Sequence, residues 1–170
     1  FCLEYVLRCR KYSKVYVPYF TCDSAVEPIV KLGIPHEFYH IDKSYHIVED
    51  IVLRDNEALM YTNYWGLQDL YCKELADRFG SRLILDYTQA FFSKPIRGID
   101  TFYSCRKFFG VPDGGYLYTD ADADFERIVP FEAARLRHQR TTDNFTQQCN
   151  QYEADGKQYN FARDFVERGF

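Results

Sequence analysis

The strongest structural signal in this sequence comes from Ser-Arg-Leu-Ile-Leu-Asp-Tyr-Thr-Gln-Ala at residues 81–90 and Tyr-Ser-Cys-Arg-Lys-Phe-Phe-Gly at residues 103–110. In the first stretch an apolar run ends in Asp86, and an amide, Gln89, follows three positions later. In the second stretch Lys107 comes just after a strand-like segment. Moving a carboxylate out of water costs several kcal/mol unless a cation or strong donors meet it. An acid that closes a buried strand therefore needs a partner, which the chain must supply or bind.

Outward from these stretches, segments with the helical spacing of apolar residues alternate with short apolar or β-branched runs. Helices are predicted at 1–13, 23–32 and 69–79, and strands at 15–18, 36–41, 58–63, 82–86, 100–104 and 116–119. This alternation is typical of an α/β fold, with a three-layer, mostly parallel sheet and helices on both faces. Within the helices, Leu70 is expected to face the core and Glu4 the solvent, and Asp23 or Ser24 is expected to cap the second helix.

Composition limits the classes of function. The 170 residues suffice for one domain with a sizeable core, and the net charge of −4 with a pI near 5.6 argues against nucleic-acid binding. The six cysteines show no CxxC pair and the four histidines no shared spacing, so we expect reduced thiols and no metal site. No run is long and apolar enough to span a membrane, and the charges of Glu4 and Arg8 argue against a signal peptide. These features favour a cytoplasmic protein without membrane partners.

Several polar segments fall where predicted strands end. These segments are Thr21-Cys22, Asn63-Tyr64-Trp65, residues 86–89 and residues 104–107. Open α/β sheets bind ligands beyond the carboxyl ends of their strands. The sequence therefore predicts that these separated segments meet at one edge of the sheet and form a site there.

The same segments resemble the DegT/DnrJ/EryC1/StrS family of sugar aminotransferases, which use pyridoxal phosphate (PLP) on the fold-type-I scaffold. The similarity rests on Asp86 and Gln89 in Leu-Asp-Tyr-Thr-Gln-Ala, on Lys107 in Ser-Cys-Arg-Lys-Phe-Phe-Gly, and on residues 17–22 and 33–35. It extends from about residue 14 to about residue 152.

The resemblance also implies a domain organisation. Residues 1–120 would form the PLP-binding large domain, without an N-terminal part that includes a glycine-containing turn for the cofactor phosphate. Residues 121–170, with helices predicted at 125–138, 144–152 and 161–170, would lead toward a small C-terminal domain that is missing or incomplete.

The resemblance assigns roles to three of these residues. Lys107 would hold the cofactor aldehyde covalently and then move a proton between substrate and cofactor, and Asp86 would keep the pyridine nitrogen protonated. Gln89 would lie near the phenolic oxygen of the ring, although a glutamine bonded to the backbone of a turn is a close alternative. The aromatic residues on both sides of Lys107 favour an enclosed lysine over one on the surface.

Three further residues complete the expected cofactor site. Ser104 would donate a hydroxyl to the cofactor phosphate, with a purely local serine at the strand end as the alternative. Cys22 occupies a position that is usually aromatic in the family, so ring stacking would fall to a neighbour such as Tyr19 or Phe20, or to Trp65, or be replaced by a sulfur contact. Asn63 would point into the pocket, unless its amide is satisfied by the backbone.

The predicted function is transfer of an amino group from an amino acid, commonly glutamate, to a nucleotide-linked keto-sugar, as in polysaccharide biosynthesis. The resemblance implies a homodimer. A degenerate, inactive protein used in binding or assembly is one alternative. A second is an oxidoreductase similar to short-chain dehydrogenases, because Tyr103 and Lys107 have the spacing of their Tyr-x-x-x-Lys pair, but no Gly-rich dinucleotide turn occurs.

Overall fold

The computed structural model describes residues 2–111 and 114–121. The helices are α1 (Cys2–Arg10), α2 (Asp23–Lys31) and α3 (Asp69–Phe79), and single 3-10 turns occur at Tyr64–Gly66 and Gly80–Arg82. The strands are β1 (Lys14–Pro18), β2 (His36–Tyr39), β3 (Glu57–Thr62), β4 (Leu83–Asp86), β5 (Asp100–Ser104) and β6 (Gly115–Tyr118). Each of these helices and strands was predicted from the sequence, with ends that differ by a few residues. The helices predicted after residue 121 lie outside the described residues.

The six strands form one sheet in the order β2-β1-β3-β4-β5-β6. All neighbouring strands from β2 to β5 run parallel, and β6 pairs with β5 in the antiparallel direction. The parallel pairs follow from the connections, because parallel neighbours need a crossover and α2 and α3 supply two of them. The fold is therefore the predicted α/β class with a mostly parallel sheet.

Helices cover both faces of the sheet, as the three-layer prediction requires. Leu59 and Leu85 belong to the apolar cluster that includes the inward residues of α3, whereas Met60 and Ile84 belong to the cluster under α1 and α2. This alternation is the two-residue period of a strand, and burial on both faces explains why β3 and β4 are almost continuously apolar. Each fully buried leucine or isoleucine contributes about 1.5–3 kcal/mol through the hydrophobic effect.

Three local expectations were wrong. Leu70 is 75% exposed, because α3 turns Cys72, Leu75 and Phe79 toward the sheet and leaves its first turn in solvent. Glu4 is only 4% exposed, and its carboxylate accepts hydrogen bonds from Arg8 and Lys31. This pairing compensates for the desolvation of the acid.

The start of α2 also differs from the prediction. The N-cap position falls on Cys22, which makes no side-chain cap hydrogen bond, while Asp23 is already the first helical residue. No helix among the described residues is long and apolar enough to cross a membrane.

Candidate active site

The carboxyl end of β4 carries the buried acid that the sequence singled out. Asp86 is 4% exposed, and its Oδ1 accepts a hydrogen bond of 2.8 Å from the backbone N–H of Thr88. Burial raises the pKa of the Asp86 carboxyl, and the Thr88 hydrogen bonds and the positive charge of Lys107 only partly oppose that rise. Since a buried carboxyl with an elevated pKa lacks full compensation for its charge, Asp86 is equipped to receive a further cation.

Thr62, the last residue of β3, lies directly beside Asp86 in the sheet register. Its hydroxyl is close enough to the carboxyl to lower the pKa of Asp86, but its geometry gives Oγ1 no hydrogen-bond partner among the described residues. A buried hydroxyl without a partner costs roughly 1–3 kcal/mol. The end of β3 therefore places a hydroxyl without a hydrogen-bond partner next to the buried Asp86 carboxyl, whose charge is not fully compensated.

Lys107 lies in the turn that follows β5. The backbone N–H groups of Phe108 and Phe109 both donate to the Cys105 carbonyl, at 3.1 and 3.0 Å, and close this turn. The Lys107 side chain is exposed, so the expectation of an enclosed lysine was wrong. The two phenylalanines pack instead against Phe91, with ring centroids 5.6 and 4.9 Å apart. They fix the turn to the loop after β4 and leave the lysine uncovered.

Thr88 connects the lysine to the acid. Lys107 Nζ donates a hydrogen bond of 3.1 Å to Thr88 Oγ1, and the backbone N–H of Thr88 donates to Asp86 Oδ1 at 2.8 Å. The structure thus brings together the two groups on which the sequence argument depended, at the carboxyl ends of two adjacent parallel strands. Their catalytic roles stay predictions.

Gln89 is half-buried and contacts the loop that follows β3. Its Oε1 accepts a hydrogen bond of 3.3 Å from the backbone N–H of Trp65. Trp65 has φ 56°, a left-handed conformation that costs a non-glycine residue about 1–3 kcal/mol, and its side chain is 57% exposed. The side chain of Gln89 thus binds a strained backbone segment at the mouth of the site, and a role in cofactor binding stays a prediction.

The remaining predicted ligands are placed less favourably. Ser104 ends β5 and is half-buried, and Cys22 is exposed, with its sulfur 3.0 Å from the Ser24 hydroxyl. Asn63 is fully buried, and its amide is already used: Nδ2 donates to Asp69 at 2.7 Å, and Oδ1 accepts from the Gln68 N–H at 2.9 Å. The Asn63 side chain is thus hydrogen-bonded within its own loop, and the structure does not bring it to Asp86.

Tyr103 does not form the predicted pair with Lys107. It packs in the apolar cluster on the α3 face, and its hydroxyl donates to the Ser93 carbonyl at 3.0 Å. Burial raises the pKa of this phenol well above its usual range. The arrangement argues against the proton-relay role that the dehydrogenase alternative requires, because Lys107 bonds Thr88 beside Asp86 instead.

Sequence reasoning missed Thr62 and gave no role to Thr88 or Tyr64, although both lie in segments predicted to meet at the sheet edge. The Tyr64 side chain is buried, its hydroxyl donates to the Phe20 carbonyl at 2.8 Å, and its ring stacks on that of Phe20. Tyr64 thereby ties the end of β3 to the segment after β1. The only signal for the two threonines was their position at the end of a strand or in the turn that follows one.

Comparison with known proteins finds solved structures with a similar fold but no match by sequence. No protein-family model and no curated protein matches the sequence. Solved structures do: 3-amino-5-hydroxybenzoic acid (AHBA) synthase has a TM-score of 0.54 and 19% identity, over 71% of this chain and 36% of its own. The histidinol-phosphate aminotransferase from Clostridium acetobutylicum gives 0.51 and 20%, over 69% of this chain and 42% of its own.

A third solved structure bears on the resemblance seen in the sequence. A DegT DnrJ EryC1 StrS aminotransferase from Brucella abortus has a TM-score of 0.50 and 21% identity, over 72% of this chain and 40% of its own. The chain therefore spans about two fifths of the length of these solved structures. At this identity the similarity establishes the fold alone: the described residues have the α/β fold of these three solved structures, one of which carries the name of the DegT/DnrJ/EryC1/StrS family that the sequence resembles.

Proposed function

We propose that this chain is the cofactor-binding part of a PLP-dependent aminotransferase. The observation that carries the proposal is the connection Lys107–Thr88–Asp86, in which a lysine amine and a buried acid meet at the carboxyl edge of the sheet. The Asp86 carboxylate accepts a hydrogen bond from the backbone N–H of Thr88 and none from a cationic side chain of the described residues. The protonated pyridine nitrogen of PLP would be a cation able to donate a hydrogen bond to the Asp86 carboxylate.

The residues present fit the cofactor in chemical type. When bound, PLP supplies an electron-withdrawing ring that stabilises negative charge on the carbon next to the reacting amine. Asp86 would keep a proton on the ring nitrogen through its negative charge, and the unpartnered Thr62 hydroxyl beside it could donate to the same carboxylate. Lys107 would attach the cofactor and then act as the base that carries a proton between two carbons.

The finer assignments are part of the same proposal. The substrates would be an amino acid donor, such as glutamate, and a nucleotide-linked keto-sugar. Exposed aromatic rings beyond the ends of β1 and β3, those of Tyr19, Phe20 and Trp65, offer stacking surfaces for flat or sugar-like ligands. We also propose residues 1–120 as the large domain, residues 121–170 as the start of a second domain, a homodimeric assembly and a cytoplasmic location.

Covalent capture tests the proposal. The purified 170-residue protein is mixed with PLP, reduced with borohydride and digested, and the modified lysine is identified by mass spectrometry. We expect a visible absorption band before reduction and the adduct on Lys107. Lys107→Ala should abolish the band, and Lys94→Ala, which removes another exposed lysine, should retain it. A wild-type protein that gives no adduct at Lys107 would overturn the proposal and leave a binding or assembly role.

Turnover is tested separately. Glutamate added to the PLP-loaded protein should convert the visible band to that of the aminated cofactor, and Asp86→Asn should slow the conversion by roughly 10²–10⁴-fold, because the ring nitrogen loses the charge that keeps it protonated. A conversion rate equal to that of the wild type would exclude the role given to Asp86.

A further inference from the structure

We propose that Thr88 is a positioning residue that holds the Lys107 amino group beside Asp86. This inference rests on the proposed function and adds to it a residue that the sequence argument did not use. The evidence is the 3.1 Å bond from Lys107 Nζ to Thr88 Oγ1 together with the 2.8 Å bond from the Thr88 N–H to Asp86 Oδ1.

The chemistry of the hydroxyl gives this connection a direction. A lysine ammonium only donates hydrogen bonds, so the Thr88 hydroxyl oxygen is the acceptor in its 3.1 Å contact with Lys107 Nζ. The backbone N–H of the same residue donates to Asp86 Oδ1 at 2.8 Å. The bond to Asp86 therefore fixes the Thr88 backbone, and the hydroxyl carried by that backbone holds the lysine amine beside the buried acid.

Thr88 lies on a firmly held turn, which suits a positioning role. The preceding residue, Tyr87, is buried and donates its N–H to the Phe102 carbonyl of β5 at 2.8 Å. Its own carbonyl accepts the N–H of Ala90 at 3.0 Å and closes the turn. Lys107, in contrast, is exposed and has a flexible four-carbon stem, so it gains most from a fixed partner.

The test uses three variants of the full chain. Thr88→Val removes the hydroxyl but keeps the shape of the side chain and the backbone N–H that bonds Asp86. Thr88→Ser restores the hydroxyl. Thr101→Val is the matched control, because Thr101 is a buried threonine next to Leu85 on the α3 face and its hydroxyl bonds the Ile99 carbonyl.

The first readout needs no cofactor. NMR relaxation of the Lys107 side-chain ¹³Cε groups reports how firmly the amine is held, with exposed Lys94 as the internal reference. We expect Lys107 to be more ordered than Lys94 in the wild type, in Thr88→Ser and in Thr101→Val. In Thr88→Val its order should fall to that of Lys94. A Lys107 as mobile as Lys94 in the wild type, or unchanged order in Thr88→Val, would overturn the proposal.

The second readout is the PLP concentration that half-saturates the Lys107 adduct. It should rise roughly two- to tenfold in Thr88→Val, as expected for loss of one hydrogen bond, and stay near the wild-type value in Thr88→Ser. An unchanged value in Thr88→Val would refute the positioning role and leave the proposed function intact. Absence of any wild-type adduct would refute the proposed function, whereas the relaxation experiment would still test the contact between Thr88 and Lys107.

Discussion

Asp86→Asn should make the ligand-free protein more stable at neutral pH. Burying a carboxylate costs several kcal/mol, and each hydrogen bond to a charged group returns about 1.5–3 kcal/mol. The bond from the Thr88 N–H and the nearby charge of Lys107 do not fully compensate, because the pKa of Asp86 is raised in the folded state, mainly by burial. The asparagine keeps the acceptor for the Thr88 N–H, and its amide N–H can donate to the unpartnered Thr62 hydroxyl. We expect a gain of about 1–2 kcal/mol in the free energy of unfolding.

The effect should depend on pH with a definite sign. In the unfolded chain the carboxyl ionises near its ordinary pKa of about 4, whereas in the folded protein it ionises at a higher pH. The wild type therefore loses stability as the pH rises from about 4 through the folded pKa of Asp86. Below pH 4 the group is protonated in both states, and the advantage of Asp86→Asn should disappear.

Urea unfolding followed by circular dichroism between pH 4 and pH 8 measures this difference. For a chain of this length, 1–2 kcal/mol corresponds to a shift of about 2–8 °C in Tm. Asp55→Asn, at an exposed carboxyl, is the matched control and should change stability by less than about 0.5 kcal/mol. An Asp86→Asn variant that is less stable than the wild type at pH 7, or equally advantaged at pH 4 and pH 7, would refute this account of Asp86.

Three other substitutions test the surrounding structure. Arg10→Met should lower the free energy of unfolding in urea by about 3–5 kcal/mol. It leaves the fully buried Asp100 carboxylate without the guanidinium that donates to it at 2.9 and 3.1 Å. Adding Asp100→Asn should recover part of that loss. Gly115→Ala should lower the free energy of unfolding by about 1–3 kcal/mol and speed amide hydrogen exchange in β6, because the new methyl group would lie 2.8 Å from the Tyr103 carbonyl oxygen. Exchange rates in β6 equal to those of the wild type would contradict this prediction. Thr62→Val should leave the free energy of unfolding within about 1 kcal/mol of the wild type or raise it, because it removes a hydroxyl without a partner; a loss above that limit would show that the hydroxyl is bonded.

The pairing of Asp86 with Lys107 shows how much of the candidate site local sequence patterns can predict. An apolar run that ends in an acid identified β4 and its terminal carboxylate, and the rule that ligands bind at the carboxyl ends of parallel strands placed the lysine segment nearby. Both inferences depend on short-range periodicity and on general sheet geometry, so one sequence was enough. The alternation of helices and strands followed in the same way.

The two errors have different physical causes. Leu70 is apolar, but with 3.6 residues per turn it lies on the opposite side of α3 from the buried Cys72, Leu75 and Phe79, and it is 75% exposed. Lys107 is flanked by phenylalanines, but their rings pack against Phe91 and leave the lysine exposed. The first error was one of helical phase, whereas in the second a contact between distant segments overrode the local pattern.

Taken alone, the sequence determined the α/β class, the strand that ends in Asp86 and the meeting of residues 86–89 and 104–107 at the sheet edge, because these depend on residue type and on periods of two and 3.6 positions, while the family resemblance selected Lys107 as the partner of Asp86. Only the tertiary structure decided that Thr88 bridges this pair, that the amide of Asn63 is used within its own loop, and that a buried Thr62 hydroxyl lies unpartnered beside Asp86. The reason is that hydrogen-bond partners are selected by strand register and by the path of the turns, which bring residues far apart in the chain into contact, such as Lys107 and Thr88 at 3.1 Å.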